Sequence, residues 1–598
     1  MTGNTLAYVI AVKGTVNSSY EERKTLKEVV CDDLKRKGSG HAWLWLLFAF
    51  CFIGTSSFYS QLFFDLSALE EPADYFCLPK ELKNTNWTID EIREVSKYSN
   101  STQSCMALKL DYKFISKLSF GEALDLVNNL DELDGGMCSE IGGVIYVVKG
   151  AEQSYADDMS LLCRDDVSSI YTAFYRGCIL GGVIFGVLGD RFGRKLSFNT
   201  ALFPYIIASF VPTYFQTETV YMWSRFTVGL CGYGIINLLF VILIENSQRK
   251  FREIFAIMIN LSVVFGMMWQ YTASSVADEN IKVNQILLAI STAVLVIFIK
   301  YLVDSPKHLI CKKQYEEAFS ELNGEKPVAS DFAPEDEPRT SSDDEFSLTK
   351  SVKSLKLVQF FCSTNYWHLS WLSMTIFCFW FFAFNFCDMK VVYQDFDSHI
   401  KMSTVYDTFG YIATAFLVYW LPRKFLHISL VVLLGSCLIL GAALPSEELP
   451  FYQYLLTMCR CFGNPAIALF CLHIAEMFPT EIRSTAVGVI GSAGYLTGYY
   501  ASSIVDYYHA SADAYSLPQF TTMLGLVSIL ASILIYLLPE TKNDELKDFV
   551  TEKLNNQQQE DSNVNVKNIK EVSTSSVLFL ILTVLCFSIL CTNFSWFN

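Results

Sequence analysis

Charge is scarce in this chain. Only 18% of its 598 residues are Asp, Glu, Lys or Arg, against ~25% in a soluble globular domain, so most of its length does not face water. Basic residues are scarcer still: 45 Lys and Arg against 61 Asp and Glu give a formal net charge of −16. The concentrated basic face that a nucleic acid requires is missing, and no nucleic-acid partner is expected. The seven histidines do not cluster, and no metal-ligand group, phosphate-binding loop or nucleophile stands in a supporting context. Catalysis, a metal and a cofactor are therefore not expected. The 18 cysteines are too dispersed for a disulfide scaffold running through the whole chain.

Apolar residues are abundant instead, at 52%. Uncharged runs of about 20 residues, each long enough to cross a bilayer, fall at 42–64, 168–189, 195–214, 220–244, 254–277, 285–303, 366–386, 403–421, 425–444, 451–475, 486–505 and 517–538. These twelve spans predict a polytopic all-α membrane protein with the lipid bilayer as its principal partner. Residues 1–41 carry no evident cleavable signal and read as a cytoplasmic N-terminus, with the first span acting as the insertion signal. With that orientation the short inner loops hold nine Lys and Arg and the outer ones three, which places both termini inside. After a polar tail at 539–575, the apolar segment 576–598 reads either as a thirteenth span, which would move the C-terminus outside, or as an interfacial helix.

Two long segments interrupt the spans. The outer segment, 65–167, holds Cys77, Cys105, Cys138 and Cys163, an even number in an oxidising compartment. It also holds the acceptor sequons at Asn86 and Asn100 and a net charge of −11. It is expected to be a glycosylated unit with two disulfides in one of three pairings. The inner segment, 304–365, contains an acidic Ser/Thr/Pro-rich stretch too poor in apolar residues to fold alone, and reads as a linker between bundles at 42–303 and 366–538.

The two halves echo one another in their polar residues. Glu245 and Arg252 lie seven apart after span four, as Glu476 and Arg483 do after span ten; Arg225 is matched by Arg460, and Asp304-Ser305-Pro306-Lys307 by Pro539-Glu540-Thr541-Lys542. A parallel repeat of six spans is a transporter signature, because two equivalent bundles can rock about a site between them. GGVIFGVLGDRFGRK, Gly181 to Lys195, resembles the loop signature between spans two and three of the major facilitator superfamily. EMFPTEIRSTAVG, DSPKHL and LPETK, beginning at Glu476, Asp304 and Leu538, are similar to segments of its organic cation, anion and zwitterion transporter family. That resemblance, over about 40–550, implies a twelve-span major facilitator fold of two six-helix bundles, with a cysteine-bearing glycosylated loop after the first span. It implies alternating-access transport of a small organic ion across the plasma membrane. The second copy of the loop signature survives only as Leu421-Pro422-Arg423-Lys424, without its Asp and Gly, which predicts weaker gating there.

Asp190, Arg191 and Arg194, with Glu245, Arg252, Glu476 and Arg483, stand at converging helix ends. Ion pairs among them would close the inward mouth and break when it opens; the plainer reading is that the basic members only set topology. Charges inside spans are costly and mark candidate sites. Arg176, near the middle of span two, reads as a substrate contact or a structural pair. Asp407, where the resembled family usually has a carboxylate, reads as a cation site, a titrating site or the partner of Arg176. Asn260 is either a cavity amide or a helix–helix hydrogen bond. In span seven, seven of the ten residues from Phe377 to Phe386, including Trp380 and Phe381, are Phe or Trp, suited to hold a cation by its attraction to ring faces. Twelve residues after Arg483, where the family's cation transporters carry a carboxylate and its anion and carnitine-type members often an Arg, this chain has Tyr495. These features favour a cation or zwitterion. The competing readings are a sugar or other neutral-solute transporter and a non-transporting scaffold that kept the fold. The oligomeric state is left open by the sequence.

Overall fold

Apolar runs of this length can enter a bilayer only with every backbone N–H and C=O bonded internally, so each run must become a helix. The computed structural model describes residues 42–68, 75–97, 105–128, 135–147, 167–323, 360–361, 366–392, 396–443, 449–510, 516–542 and 546, apart from isolated positions within these ranges. The expectations for 1–41, the acidic linker stretch, Asn100, Cys163, the tail and 576–598 lie outside the described residues.

In the first half the spans are Ala42–Ala68, Val167–Phe192, Arg194–Tyr214 and Glu218–Asn246, then Arg249–Asn260 continued by Ser262–Val276, then Ile281–Ala293 continued by Leu295–Phe298. In the second half they are Trp367–Val392, Phe396–Trp420, Arg423–Ala443, Leu449–Met477, Arg483–Ala510 and Ser516–Ile535. All twelve expected spans are therefore helical, and the chain has the all-α major facilitator fold. Eight of the described helices are long and apolar enough to cross a membrane by composition, and two shorter apolar helices serve spans six and twelve. Spans eight and eleven are more polar; one carries Asp407 and the other packs between the halves on spans two and seven.

The break in span five has a local cause. The Asn260 amide donates back to the Ala256 carbonyl at 2.7 Å, competing with the backbone for an acceptor, and Leu261 shares its N–H between Ile257 and Met258. Close approach of the halves has an equally local cause. A Cβ on Gly182 of span two would press on the Gly488 carbonyl and Ser492 of span eleven, and one on Gly186 on the Ser484 carbonyl. The small-residue pair four apart lets the two backbones touch.

Outside the membrane helices, Tyr75–Leu78 pairs antiparallel with Val144–Val147, and Met106–Leu108 with Gly135–Met137. Helices Ile89–Ser96, Tyr112–Ile115 and Phe120–Asn128 pack on them around Phe76, Leu82, Ile92, Val95, Leu108 and Tyr112. Thr88 and Glu91 form a reciprocal cap on the first of these helices. Cys77 and Cys138 are disulfide-bonded, and Cys105 is also in a disulfide. Asn86 is exposed. The Cys77–Cys138 bridge closes a separation of 61 residues, so replacing both by Ser is expected to cost this small unit roughly 2–5 kcal/mol. Limited proteolysis on intact membranes should cut the double variant within 75–147 several-fold faster; an unchanged rate would count against a stabilising role.

Candidate functional site

Among the described residues, two groups of interior polar residues draw on both halves. The first is a layer of buried charges at one end of the bundle. Span two leaves its last turn through Gly193, whose φ of 107° lies in the left-handed region and where a Cβ would sit 2.8 Å from the Asp304 carboxylate. This tight turn brings Arg194, the first residue of span three, to 3.1 Å from Asp190. The Arg194 N–H donates to Asp304 at 3.2 Å, and its guanidinium to Glu245 at 3.1 Å and to the Thr480 carbonyl at 2.8 Å, with His308 against it.

Asp190 itself reaches into the other half. It accepts from the N–H groups of Ser484 at 3.3 Å and Thr485 at 2.7 Å, and from the Thr485 hydroxyl at 2.7 Å. Those are the second and third residues of span eleven, whose first-turn N–H groups have no partner within their own helix. A carboxylate of one half thus caps a helix of the other.

The seven-residue echo becomes an exchange in space. Glu245 of the first half accepts from Arg483 of the second at 2.8 Å, while Glu476 of the second accepts from Arg252 of the first at 3.1 Å. Asp190, Arg194, Glu245, Arg252, Glu476 and Arg483 are all buried. Arg191 is not among them: it is exposed and lies over the Phe192 ring at 5.5 Å, one helical step round from Asp190. Nor is this layer thin at the eroded second signature. Arg423 donates to Glu253 of span five at 2.8 Å, to Thr541 at 3.1 Å, and contacts Glu476. The Lys424 N–H donates to Glu540 at 3.2 Å, repeating the contact of Arg194 with Asp304. The Asp missing from the motif is replaced by Glu253, a carboxylate from the opposite half, next to Arg252 in sequence.

Behind this layer lies a cavity of about 170 Å³ lined by residues of spans one, two, four, five, seven, eight, ten and eleven. Ten aromatic rings form its walls: Tyr59, Phe63, Tyr175, Tyr233, Phe240, Phe377, Phe381, Phe384, Tyr411 and Tyr495. Four amides, Asn237, Asn260, Asn385 and Asn464, and the guanidinium of Arg460 supply polar groups. Tyr495 meets Tyr233 edge to face with centroids 4.5 Å apart, and Phe377 stacks on Phe381 at 4.7 Å.

Of the expected cavity residues, Asn260, Phe377, Phe381 and Tyr495 line it; the Asn260 amide N–H donates within its own helix. Trp380 does not line it. It is fully buried behind Phe377, against His427 and Phe470, because successive residues of a helix point about 100° apart. Asp407 is fully buried one layer behind the wall, and its partner is Arg460 at 2.8 Å rather than Arg176, with Asn464 donating to its other oxygen at 2.9 Å. Arg176 is exposed and lies over Tyr499 at 5.7 Å, away from the cavity lining.

Asn464 and Glu253 were not singled out by the sequence, and Arg460 and Arg423 were noted only for the repeat and the loop signature. Residues 460, 464, 467 and 471 recur at helical spacing on one face of span ten, a polar start to an apolar stripe that was legible in principle. Removing the carboxylate of a buried pair costs roughly 3–5 kcal/mol, because the other charge stays buried. Asp407→Asn is therefore expected to lower the melting temperature in detergent markedly, and the double change with Arg460→Gln to recover part of the loss. A double variant less stable than Asp407→Asn would contradict this pairing.

The profile of the sugar (and other) transporter family matches residues 134–552. Solute carrier family 22 member 27 of Mus musculus is 24% identical over 444 residues, covering 70% of this chain and 76% of that protein. The steroid transmembrane transporter SLC22A24 of Oryctolagus cuniculus is 23% identical over 426 residues, 68% and 74% of the two chains. Organic cation/carnitine transporter 2 of Homo sapiens is 24% identical over 415 residues, 66% and 71%. In fold, the chain is similar to the proton:xylose symporter XylE bound to 6-bromo-6-deoxy-D-glucose, with a TM-score of 0.53 at 15% identity over 84% of this chain and 98% of that one. The chain belongs to the sugar (and other) transporter family of the major facilitator superfamily.

Proposed function

We propose that this chain carries a small organic zwitterion across the plasma membrane by alternating access, with the charge layer on the cytoplasmic side. The observation that carries the reading is a cavity of ten aromatic rings in which Arg460, backed by Asp407 and Asn464, is the charged residue on the wall. A guanidinium offers a fork of donors to a carboxylate. The tyrosine and phenylalanine faces attract an organic cation by about 0.5–2 kcal/mol each. A zwitterion would satisfy both without adding net charge to a low-dielectric site, whereas an anion alone would compete with Asp407 for Arg460. The resemblance to an organic cation/carnitine transporter supports the same solute class. The sugar reading is disfavoured by walls this aromatic. An organic cation held on the rings near Asp407 is the second reading, supported by Tyr411, which lines the cavity one helical turn after Asp407 in span eight.

The exchanged pairs, Glu245 with Arg483 and Glu476 with Arg252, together with the Asp190 cap, act as the inner gate. They stabilise the state in which the cavity is sealed on that side and are released in the other, so their removal shifts the state equilibrium rather than the contacts with solute. The excess of Lys and Arg in the loops at that end supports its cytoplasmic placement and that of both termini. Asn86 and Asn100 are then glycan acceptors outside, and Cys163 completes the second disulfide of the outer unit.

Uptake into vesicles should be highest for a small zwitterion, lower for an organic cation and lowest for an organic anion or a hexose. Arg460→Gln should weaken zwitterion uptake by at least about tenfold, the equivalent of ~1.4 kcal/mol, and affect a cation less. Preferred uptake of a hexose, insensitive to Arg460→Gln, would overturn the reading. For the gate, Arg483→Ala should slow exchange by about tenfold or more while the equilibrium affinity for solute in detergent changes little. An equal loss of binding by folded protein would remove Arg483 from a gating role.

A further inference from the structure

Arg176 belongs neither to the cavity lining nor to the charge layer. It is exposed on span two together with Leu180 at 46% and Ile184 at 42%, while residues 177, 178, 181, 182, 185 and 186 are buried. A four-residue repeat of exposure marks one face of the helix, and in a membrane protein a face carrying Leu and Ile is covered by acyl chains. Beside it on span eleven, Leu496 and Tyr500 are exposed at 38% and 48%, and Tyr499 lies under the Arg176 guanidinium at 5.7 Å. Arg176 therefore heads an apolar strip at the seam where the two halves meet.

Its depth follows from helix geometry. Arg176 lies 14 residues before Asp190, about 21 Å along the axis. Helical side chains lean towards the N-terminus, which here carries the guanidinium several Å farther from the charge layer. Across a hydrocarbon core of about 30 Å, this rise and the lean of a snorkelling side chain carry the guanidinium towards the headgroups of the leaflet opposite that layer, within reach of a phosphate drawn down to it. Tyrosine side chains favour the same depth. Among the described residues, the ion pairs of spans two and eleven involve Asp190, Arg194, Glu245 and Arg483 and leave Arg176 out.

We propose that Arg176, with Tyr499 and Tyr500, binds the phosphate of a membrane phospholipid whose acyl chains lie along Leu180, Ile184 and Leu496. The guanidinium fork matches two phosphate oxygens, and the ring of Tyr499 holds the fork in place. The lipid sits in the seam between spans two and eleven, and any rocking of the halves changes that seam. The inference rests on the membrane fold and not on the identity of the solute.

The test uses the purified full chain, delipidated in detergent and re-exposed to phosphatidylcholine, to diacylglycerol of the same chains, or to inorganic phosphate, with bound lipid counted by native mass spectrometry. Phosphatidylcholine should be retained by the wild type and its occupancy reduced about tenfold in Arg176→Gln, with Arg176→Lys intermediate. Diacylglycerol should be retained poorly by both, and millimolar inorganic phosphate should not displace the phospholipid. Equal retention by wild type and Arg176→Gln, or equal retention of diacylglycerol and phosphatidylcholine, would overturn the proposal, as would displacement by inorganic phosphate, which would mark a site for a free anion. If Arg176→Gln does not fold, photoactivatable phosphatidylcholine on the wild type decides: labelling within 496–500 supports the site, and labelling only elsewhere overturns it.

Discussion

The arrangement depends on a carboxylate of one half capping a helix of the other. The first turn of span eleven presents N–H groups that no residue of its own helix can satisfy, and it is buried where water does not reach. Asp190 of span two supplies the acceptor. Because that acceptor comes from the opposite half, these two N–H groups are bonded to it only while the halves are together. Asp190 is neutralised in turn by Arg194, and Arg194 by Glu245, which also takes Arg483 from the first turn of span eleven. Separating the halves therefore exposes a chain of linked charges at once rather than a single pair. Such a layer is well suited to two discrete arrangements and poorly suited to a half-open one.

Exchange of partners between repeats makes the layer balanced. Each half contributes one Glu and one Arg at the same seven-residue spacing, and each finds its complement across the axis, so neither half carries a buried net charge at this point when closed. The second repeat has lost the Asp of its loop signature, yet Arg423 remains neutral in effect because Glu253 crosses from span five. A motif eroded in sequence is thus rebuilt in space by a carboxylate that the motif does not contain. The cost of burying these groups is met only with partners in place, which is why the substitution at one loop had to be answered elsewhere.

The spans and the repeat were legible because both rest on properties that act along the chain: apolar length, loop charge and fixed spacing. Asp190, Glu245 and Glu476 were legible for the same reason, since acids at helix ends have no role in topology, and Arg252 and Arg483 through their matched spacing to two of those acids. Facing was harder to read. Phe377, Trp380 and Phe381 look alike in sequence, but a span that is aromatic on every side has no polar stripe to say which ring meets the cavity, and the packing of span seven on spans ten and eleven decides it. Asp407 was legible as an intramembrane acid, while its partner was not, because the pairing of spans eight and ten is set by tertiary contact. Arg176 was identified from its charge alone; only the exposure of Leu180 and Ile184 on its own face separates it from the cavity.

The two arginines matched by the repeat show how far the halves have diverged. Arg225 of span four is fully buried between Gln61 of span one and Gln285 of span six, bonded at 3.1 and 2.9 Å, with the rings of Phe64 and Tyr221 about its guanidinium. Arg460 of span ten pairs instead with Asp407 and reaches the cavity wall. Through the Gln61 and Gln285 amides Arg225 ties spans one, four and six of its own bundle together. The two matched arginines therefore differ in both partner and setting, one enclosed within its bundle and the other facing the cavity. The same residue at corresponding positions is bonded to amides of two neighbouring helices in one half and to a carboxylate behind the cavity wall in the other. The two repeats thus share a spacing but not a packing role, and among the described residues the asymmetry leaves one guanidinium, from the second half, on the wall of a cavity that both halves line.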